Sequence, residues 1–407
     1  MTVTPQGEVT AVKRGRAVVT GTSEGITGES HVTVHFRLTS VSAGGSASCG
    51  LTDKGQAYCW GQNADGLLGI GMEGPEECGG EFGFPRPCSL TPRPVVGGIH
   101  FTSVTGGVSS CGLDEGGSVY CWGSNRSGQL GLGDRFDRSE PTRVPFVRAM
   151  RAVYVAAHSC ALTVTDEALC WGSNDRGQIG DGTTEDRLRP VKVSGGLKFA
   201  SLAVGVEFTC AITDTGATYC WGSDERGQLG IGGGGPDLCG ELGNVPCALA
   251  PRLVSGGLSF VQLAVATHAC GLTGAGVAYC WGPNTYGQLG DGTENERTVP
   301  TEVDGGLTFE SISAGGFHTC GLAADRRASC WGANFAGQLG IGTIDGDRTT
   351  PSLVLRVEFD ALGELGGSNS CGIGSDGEAY CWGSNFAGAL GDGTIQDRGS
   401  PVLVAGQ

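Results

Sequence analysis

The chain has 407 residues and no cluster of lysine or arginine; 26 Lys and Arg stand against 42 Asp and Glu, a net charge of −16. A nucleic-acid partner needs a basic footprint to displace counterions from phosphate, so none is expected. There is no apolar run long enough for a membrane helix and no apolar core of a signal peptide at the start, so no membrane insertion is expected and any export signal lies outside the sequence. Nucleophile elbow, phosphate loop and HExxH motif are all missing, which leaves no cofactor, metal centre or catalytic group to name. Aromatic residues make up 7%, and no amphipathic helical stretch is found.

What the chain does have is glycine, 76 residues of it, and a repeat. "CGLTDKGQAYCWG" (49 to 61) sets two cysteines nine residues apart with Trp-Gly behind the second, and the arrangement recurs seven times. The pairs are Cys49 and Cys59, Cys111 and Cys121, Cys160 and Cys170, Cys210 and Cys220, Cys270 and Cys280, Cys320 and Cys330, Cys371 and Cys381. All seven tryptophans follow them, at spacings of 62, 49, 50, 60, 50 and 51 residues. A unit of this length signals a propeller, solenoid or array. Within residues 307 to 356, four short strands alternate with glycine-rich turns, the content of one propeller blade.

Hairpin geometry accounts for the cysteine spacing. If Cys49 faces Cys59, the loop is Asp53, Lys54 and Gly55, and such three-residue loops favour a last residue with positive φ. Glycine stands there in five repeats, as Gly55, Gly117, Gly216, Gly276 and Gly377; Asp166 and Arg326 are the exceptions. This register puts the two sulfurs on one face at disulfide distance. The remaining cysteines, Cys78 with Cys88 and Cys239 with Cys247, fall one pair in each of two insertions, so none is left over. An all-paired set points to an oxidising compartment. Reduced buried thiols remain an alternative, and zinc a weaker one, because an isolated pair supplies only two ligands.

The segments "WGSNRSGQLGLGD" (122 to 134), "WGSNDRGQIGDGT" (171 to 183), "WGPNTYGQLGDGT" (281 to 293) and "WGANFAGQLGIGT" (331 to 343) resemble the repeat signature of the regulator of chromosome condensation (RCC1-like) family. The resemblance covers residues 38 to 407 and implies an all-β, closed seven-bladed β-propeller of four-stranded antiparallel blades. The first repeat lacks a preceding strand, so the C-terminal strand 401 to 404 is expected to complete blade one and close the ring. Residues 3 to 34 resemble the C-terminal half of a bacterial Ig-like group 2 domain, which divides the chain into a partial Ig-like segment (1–36) and the propeller (37–407). That half-domain implies a protein with further sequence upstream, or a mis-assigned start. It also implies a bacterial surface or extracellular location.

Candidate binding residues come from two places. His158, His268 and His318 share one repeat position, two residues before a cysteine, and are either scaffold or a ring-shaped ligand site. The insertions 72 to 90 and 233 to 249 sit at the same point of blades one and four and display Glu76, Glu77, Glu81, Phe82, Phe84, Glu241 and Leu242. Ordered loops on a rigid scaffold are where binding concentrates. Asp134, Asp181, Asp291 and Asp392, with Asp186, Asp347 and Asp397 nearby, read as turn formers, with loose calcium binding as the other reading. Together these features describe a monomeric, non-catalytic module that presents loops to a protein or glycan. The family resemblance adds two alternatives, a guanine-nucleotide exchange factor for a small GTPase and a secreted inhibitor of β-lactamase.

Overall fold

A computed structural model describes residues 2–3, 9–10, 15–23, 26–34, 36–72, 74–79, 85–145 and 148–406, with backbone alone before Phe36. Seven antiparallel sheets follow one another along the chain. Blade two is Phe101–Gly106, Ser109–Asp114, Val119–Gly123 and Arg138–Arg143, paired in that order, and the other blades repeat it. The first strands of successive blades touch one another and line a central channel.

The expected register is found in every blade, with each first cysteine opposite its partner. Cα atoms of the seven blade pairs stand 4.0–4.1 Å apart and all are disulfide-bonded, as are the two insertion pairs at 5.9 Å. At the hairpin tips Asp166 and Arg326 adopt φ of 63° and 67°, the left-handed conformation that glycine supplies elsewhere. A second contact fixes the tip: its carbonyl accepts the N–H that opens the next blade, as from Phe101 to Gly55 (2.8 Å) and from Phe359 to Arg326 (2.8 Å).

The core is divided into seven seams between blades. Each seam holds one tryptophan, and all seven are fully buried. Each indole removes about 150–250 Å² from water, roughly 4–6 kcal/mol gross at ~25 cal/mol per Å². The last glycine of each "GQLG" run lies flat against the next blade's indole. A Cβ on Gly131 would stand 2.8 Å from Trp171 Nε1, and the residue has φ of 71°, so only glycine fits there.

Ring closure differs from the sequence expectation. The last strand, Arg398–Leu403, pairs with Ala379–Gly383 of its own blade, because every repeat already supplies four strands. Among the described residues no strand is lent to blade one; side chains close the ring together with backbone bonds from the Ala43 N–H to the Glu364 carbonyl (2.9 Å) and from the Gly393 N–H to the Leu90 carbonyl (3.1 Å). Phe36, Leu38 and Trp60 share a seam with Ile373, Leu390 and Val404. Arg37 Nε donates to the Gly377 carbonyl at 2.9 Å, taking the place of the backbone N–H that holds five of the other tips. Phe36 stacks on Tyr58 with ring centroids 4.3 Å apart, so it already belongs to the propeller. Upstream, Gly15–Ser23 and Ile26–Val34 form an antiparallel hairpin, and Thr2–Val3 pairs with Val9–Thr10.

Candidate functional loop face

The loops between third and fourth strands all emerge on one face, and a buried asparagine pins six of the seven, with Asp224 in its place in blade four. Asn174 Oδ1 accepts the Ile179 N–H (3.0 Å), while its Nδ2 donates to the carbonyls of Thr183 and Glu185 (both 3.0 Å). Gln178 Oε1 accepts the Arg176 N–H at 2.8 Å. With the frame fixed this way, the two residues after the asparagine vary freely and tip the loop. Blades one to four place charge there: Asp65, Arg126, Asp175 with Arg176, and Glu225 with Arg226. Blades five to seven place aromatic rings there: Tyr286, Phe335 and Phe386.

Two of these rings meet a third. Phe317 comes from the turn between the first two strands of blade six, which opens on the same face. Its ring centroid lies 5.5 Å from Tyr286 and 6.3 Å from Phe335, and Tyr286 and Phe335 are 6.3 Å apart. Phe335 is 51% exposed and Phe317 38%, so the cluster is an outward apolar patch rather than core.

The insertions share this face but fold as sheet. Glu76–Cys78 and Asp237–Cys239 each add a fifth strand outside the fourth, in blades one and four. Both lean on the preceding blade: Cys78 Sγ lies 3.6 Å from the Ala387 carbonyl, and the Gly240 N–H donates to the Asp175 carbonyl at 3.0 Å. Glu76 is turned inward, paired with Arg93 at 3.3 Å, whereas Glu77 and Glu241 are exposed and Leu242 is 85% so. Glu81, Phe82 and Phe84 lie outside the described residues.

Residues 74–407 match the RCC1-like domain, and residues 38–67 match the regulator of chromosome condensation (RCC1) repeat. The chain belongs to the RCC1-like family. Human probable E3 ubiquitin-protein ligase HERC3 is 36% identical over 117 residues, 28% of this chain and 10% of that protein. The chain spans about a tenth of the length of HERC3 and of the rat probable E3 ubiquitin-protein ligase HERC4. Among solved structures, human WBSCR16 superposes with a TM-score of 0.71 at 21% identity, covering 86% of this chain and 94% of its own. Prp20p of Saccharomyces cerevisiae gives 0.65 at 19%, covering 80% of each chain. At these identities the likeness is one of fold.

In this RCC1-like ring the three histidines are fully buried between blades. Nε2 of His158 lies 2.7 Å from Thr209 Oγ1, that of His268 2.7 Å from Thr319 Oγ1, and that of His318 2.8 Å from Ser370 Oγ. Each hydroxyl spends its proton on a backbone carbonyl, of Gln178, Gln288 and Gln338, so each imidazole must donate from Nε2. Burial pushes all three down to about 3, which keeps them neutral. They stitch blade to blade, as the scaffold reading has it.

The loop aspartates are also engaged. Asp291 Oδ1 accepts the N–H and hydroxyl of Thr293, and Oδ2 meets Arg297 at 2.6 Å. Asp181 with Arg187 and Asp392 with Arg398 repeat the clasp. Burial works to raise these carboxyls, but the threonine and arginine bonds outweigh it and hold all three below their ordinary value. Among the described residues, no group of three or more His, Cys, Asp or Glu is placed to hold a metal ion.

Sequence reasoning passed over the aromatic cluster. Its signal is Tyr286 and Phe335 breaking an otherwise charged or small loop-tip pattern; Phe317, from a different turn, has no signal of its own.

Proposed function

We propose that the protein is a non-catalytic binding module that docks a protein partner on its loop face, in an oxidising extracellular setting. The observation that carries the reading is the exposed cluster of Tyr286, Phe317 and Phe335 beside a half-ring of charged loop tips. Apolar aromatic centres with polar surrounds are how protein interfaces are built. The relatives support a protein partner: the structure of yeast Prp20p is described together with its binding to Gsp1p and histones. Nine disulfides with no free cysteine support the oxidising setting, and the Ig-like resemblance of residues 3 to 34 agrees with it. In this reading the residues before Phe36 are a neighbouring segment and the propeller is the working part.

The test is capture from the exterior of the source cells on immobilised propeller, followed by affinity measurement with the purified partner. Tyr286→Ala with Phe335→Ala should weaken binding by about 30-fold or more, the effect of losing ~2 kcal/mol at an interface centre. Val164→Ser, at an exposed hairpin tip on the opposite face, should change nothing. Equal affinity for the aromatic double variant and the unaltered protein would remove the basis of the proposal.

A further inference from the structure

The central channel encloses a cavity of about 510 Å³, within the range of small-molecule sites. One tier of its wall can be read from the strand register. Thr105, Tyr154, Ala203, Ala264 and Ser313 line the cavity and each stand opposite the first cysteine of their own blade, one residue per blade from two to six, and Ser42 holds the same register in blade one. Blade seven breaks the rule. Its first strand stops pairing at Leu362, and the chain leans onto blade one, where the Ala43 N–H donates to the Glu364 carbonyl at 2.9 Å and Ser42 and Glu364 form a parallel bridge.

This detour brings a carboxylate into the tier. Ser42 Oγ (2.8 Å) and Thr105 Oγ1 (2.7 Å) both donate to Glu364 Oε2. Oε1 takes no hydrogen bond from the described residues. Among the described residues, no lysine, arginine or histidine lines the cavity. The tier is therefore two-sided: hydroxyls, a phenol and one carboxylate on blades six, seven, one, two and three, and Ala203 and Ala264 on blades four and five. Burial, and next to it the charge of Glu364, raise the Tyr154 phenol above its ordinary value, so the carboxylate is felt across the channel.

We infer that the channel is a binding site for a small organic cation, a primary alkylammonium whose head meets Glu364 Oε1 and whose hydrocarbon body lies along the apolar side. A single carboxylate offers too few oxygens for a divalent metal ion, but one charge-assisted bond suits one ammonium. The mouth is formed by turns such as Gly44 to Ser46 and Gly107 with Val108, so the ligand enters from the loop face. This site is separate from the aromatic cluster and stands or falls without it.

The test is a titration of the full chain, methyl-labelled at leucine and valine, with hexylammonium, hexanol and hexanoate, followed by NMR. Resonances of Leu202, Leu263 and Leu365, which line the cavity, should move with hexylammonium, and hexanol should bind at least about tenfold more weakly. Glu364→Gln keeps an acceptor for both hydroxyls and should lose at least about tenfold in hexylammonium affinity. If that variant fails to fold, Ala264→Leu narrows the apolar side with the carboxylate intact and must weaken hexylammonium as well. The inference is overturned if hexanol binds as tightly as hexylammonium, if the folded variants bind unchanged, or if no channel methyl responds.

Discussion

The Trp60 indole nitrogen lies 3.0 Å from the carbonyl oxygen of Ala389, joining the first blade to the last across the only junction that no peptide spans. The Ser48 hydroxyl donates to the same oxygen at 2.9 Å. Five other tryptophans make the matching bond to the preceding blade at 2.9–3.1 Å. In blade six the Trp331 nitrogen is buried and has no partner. Trp60→Phe should therefore cost about 1–3 kcal/mol more than Trp331→Phe, since only the first leaves a seam one hydrogen bond short. Urea unfolding of the two variants measures the difference, and equal midpoints would show that closure does not rest on this bond.

Each blade bridge closes a short loop between strands that already pair, so its chain-entropy contribution is modest, about 2–3 kcal/mol. Replacing both Cys320 and Cys330 with alanine should lower stability by that amount and leave the fold intact. Intact mass before and after reduction of the unfolded protein should show a gain of two hydrogens for each of nine bridges. A smaller gain would mean that some pairs are thiols, against the oxidising setting.

Much of the architecture was legible because the repeat constrains itself. Seven copies of one cysteine spacing, with glycine at the position that needs positive φ, leave a single hairpin register, and Asp166 and Arg326 accept the same backbone by force of that register. Closure was not legible. A repeat pattern cannot tell a borrowed strand from a seal of side chains and a single backbone bridge, and the seal depends on Arg37 and Glu364, which stand outside the repeat consensus. Glu364 does leave a trace, since Phe359 and Cys371 are twelve residues apart where Phe309 and Cys320 are eleven. Only the fold reveals that the extra residue detours into the channel. Conversely, the histidines drew notice by recurring, and they recur because three of the seven seams are stitched by the same bond.

Blade four carries Asp224 where the other six blades hold a buried asparagine. The Leu229 N–H donates to Oδ1 at 3.0 Å and the Gly235 N–H also favours the charged form, but burial outweighs both and pushes the carboxyl up to about 6. The folded state then holds a proton between pH 3.8 and about 6 that the unfolded chain has released, so this group makes stability fall as pH rises through that window. Above it the penalty reaches at most about 3 kcal/mol. Asp224→Asn should remove it: the variant gains stability over the unaltered protein at pH 8, and the gain shrinks toward pH 4. A gain that does not change with pH would assign the effect to packing rather than to charge.

The buried histidines act with the opposite sign. Their folded value of about 3 lies below the ordinary 6.5, so as pH falls from 6.5 toward 3 the unfolded chain takes up protons that the native seams refuse. Stability is lost over that range, by more than about 1 kcal/mol per histidine at pH 5. Phenylalanine already fills the equivalent position of blade four as Phe208, itself buried. His158→Phe, His268→Phe and His318→Phe combined should lose stability at pH 8, where three hydrogen bonds between seams are given up, yet show a shallower decline between pH 6.5 and 4. Unfolding free energies at four or five pH values separate the two effects. If the decline of the triple variant matches that of the unaltered protein, the histidines are not what makes the ring acid-sensitive, and the carboxylates clasped by Arg187, Arg297 and Arg398, which lose their stabilising charge below their lowered values, carry the acid limb instead.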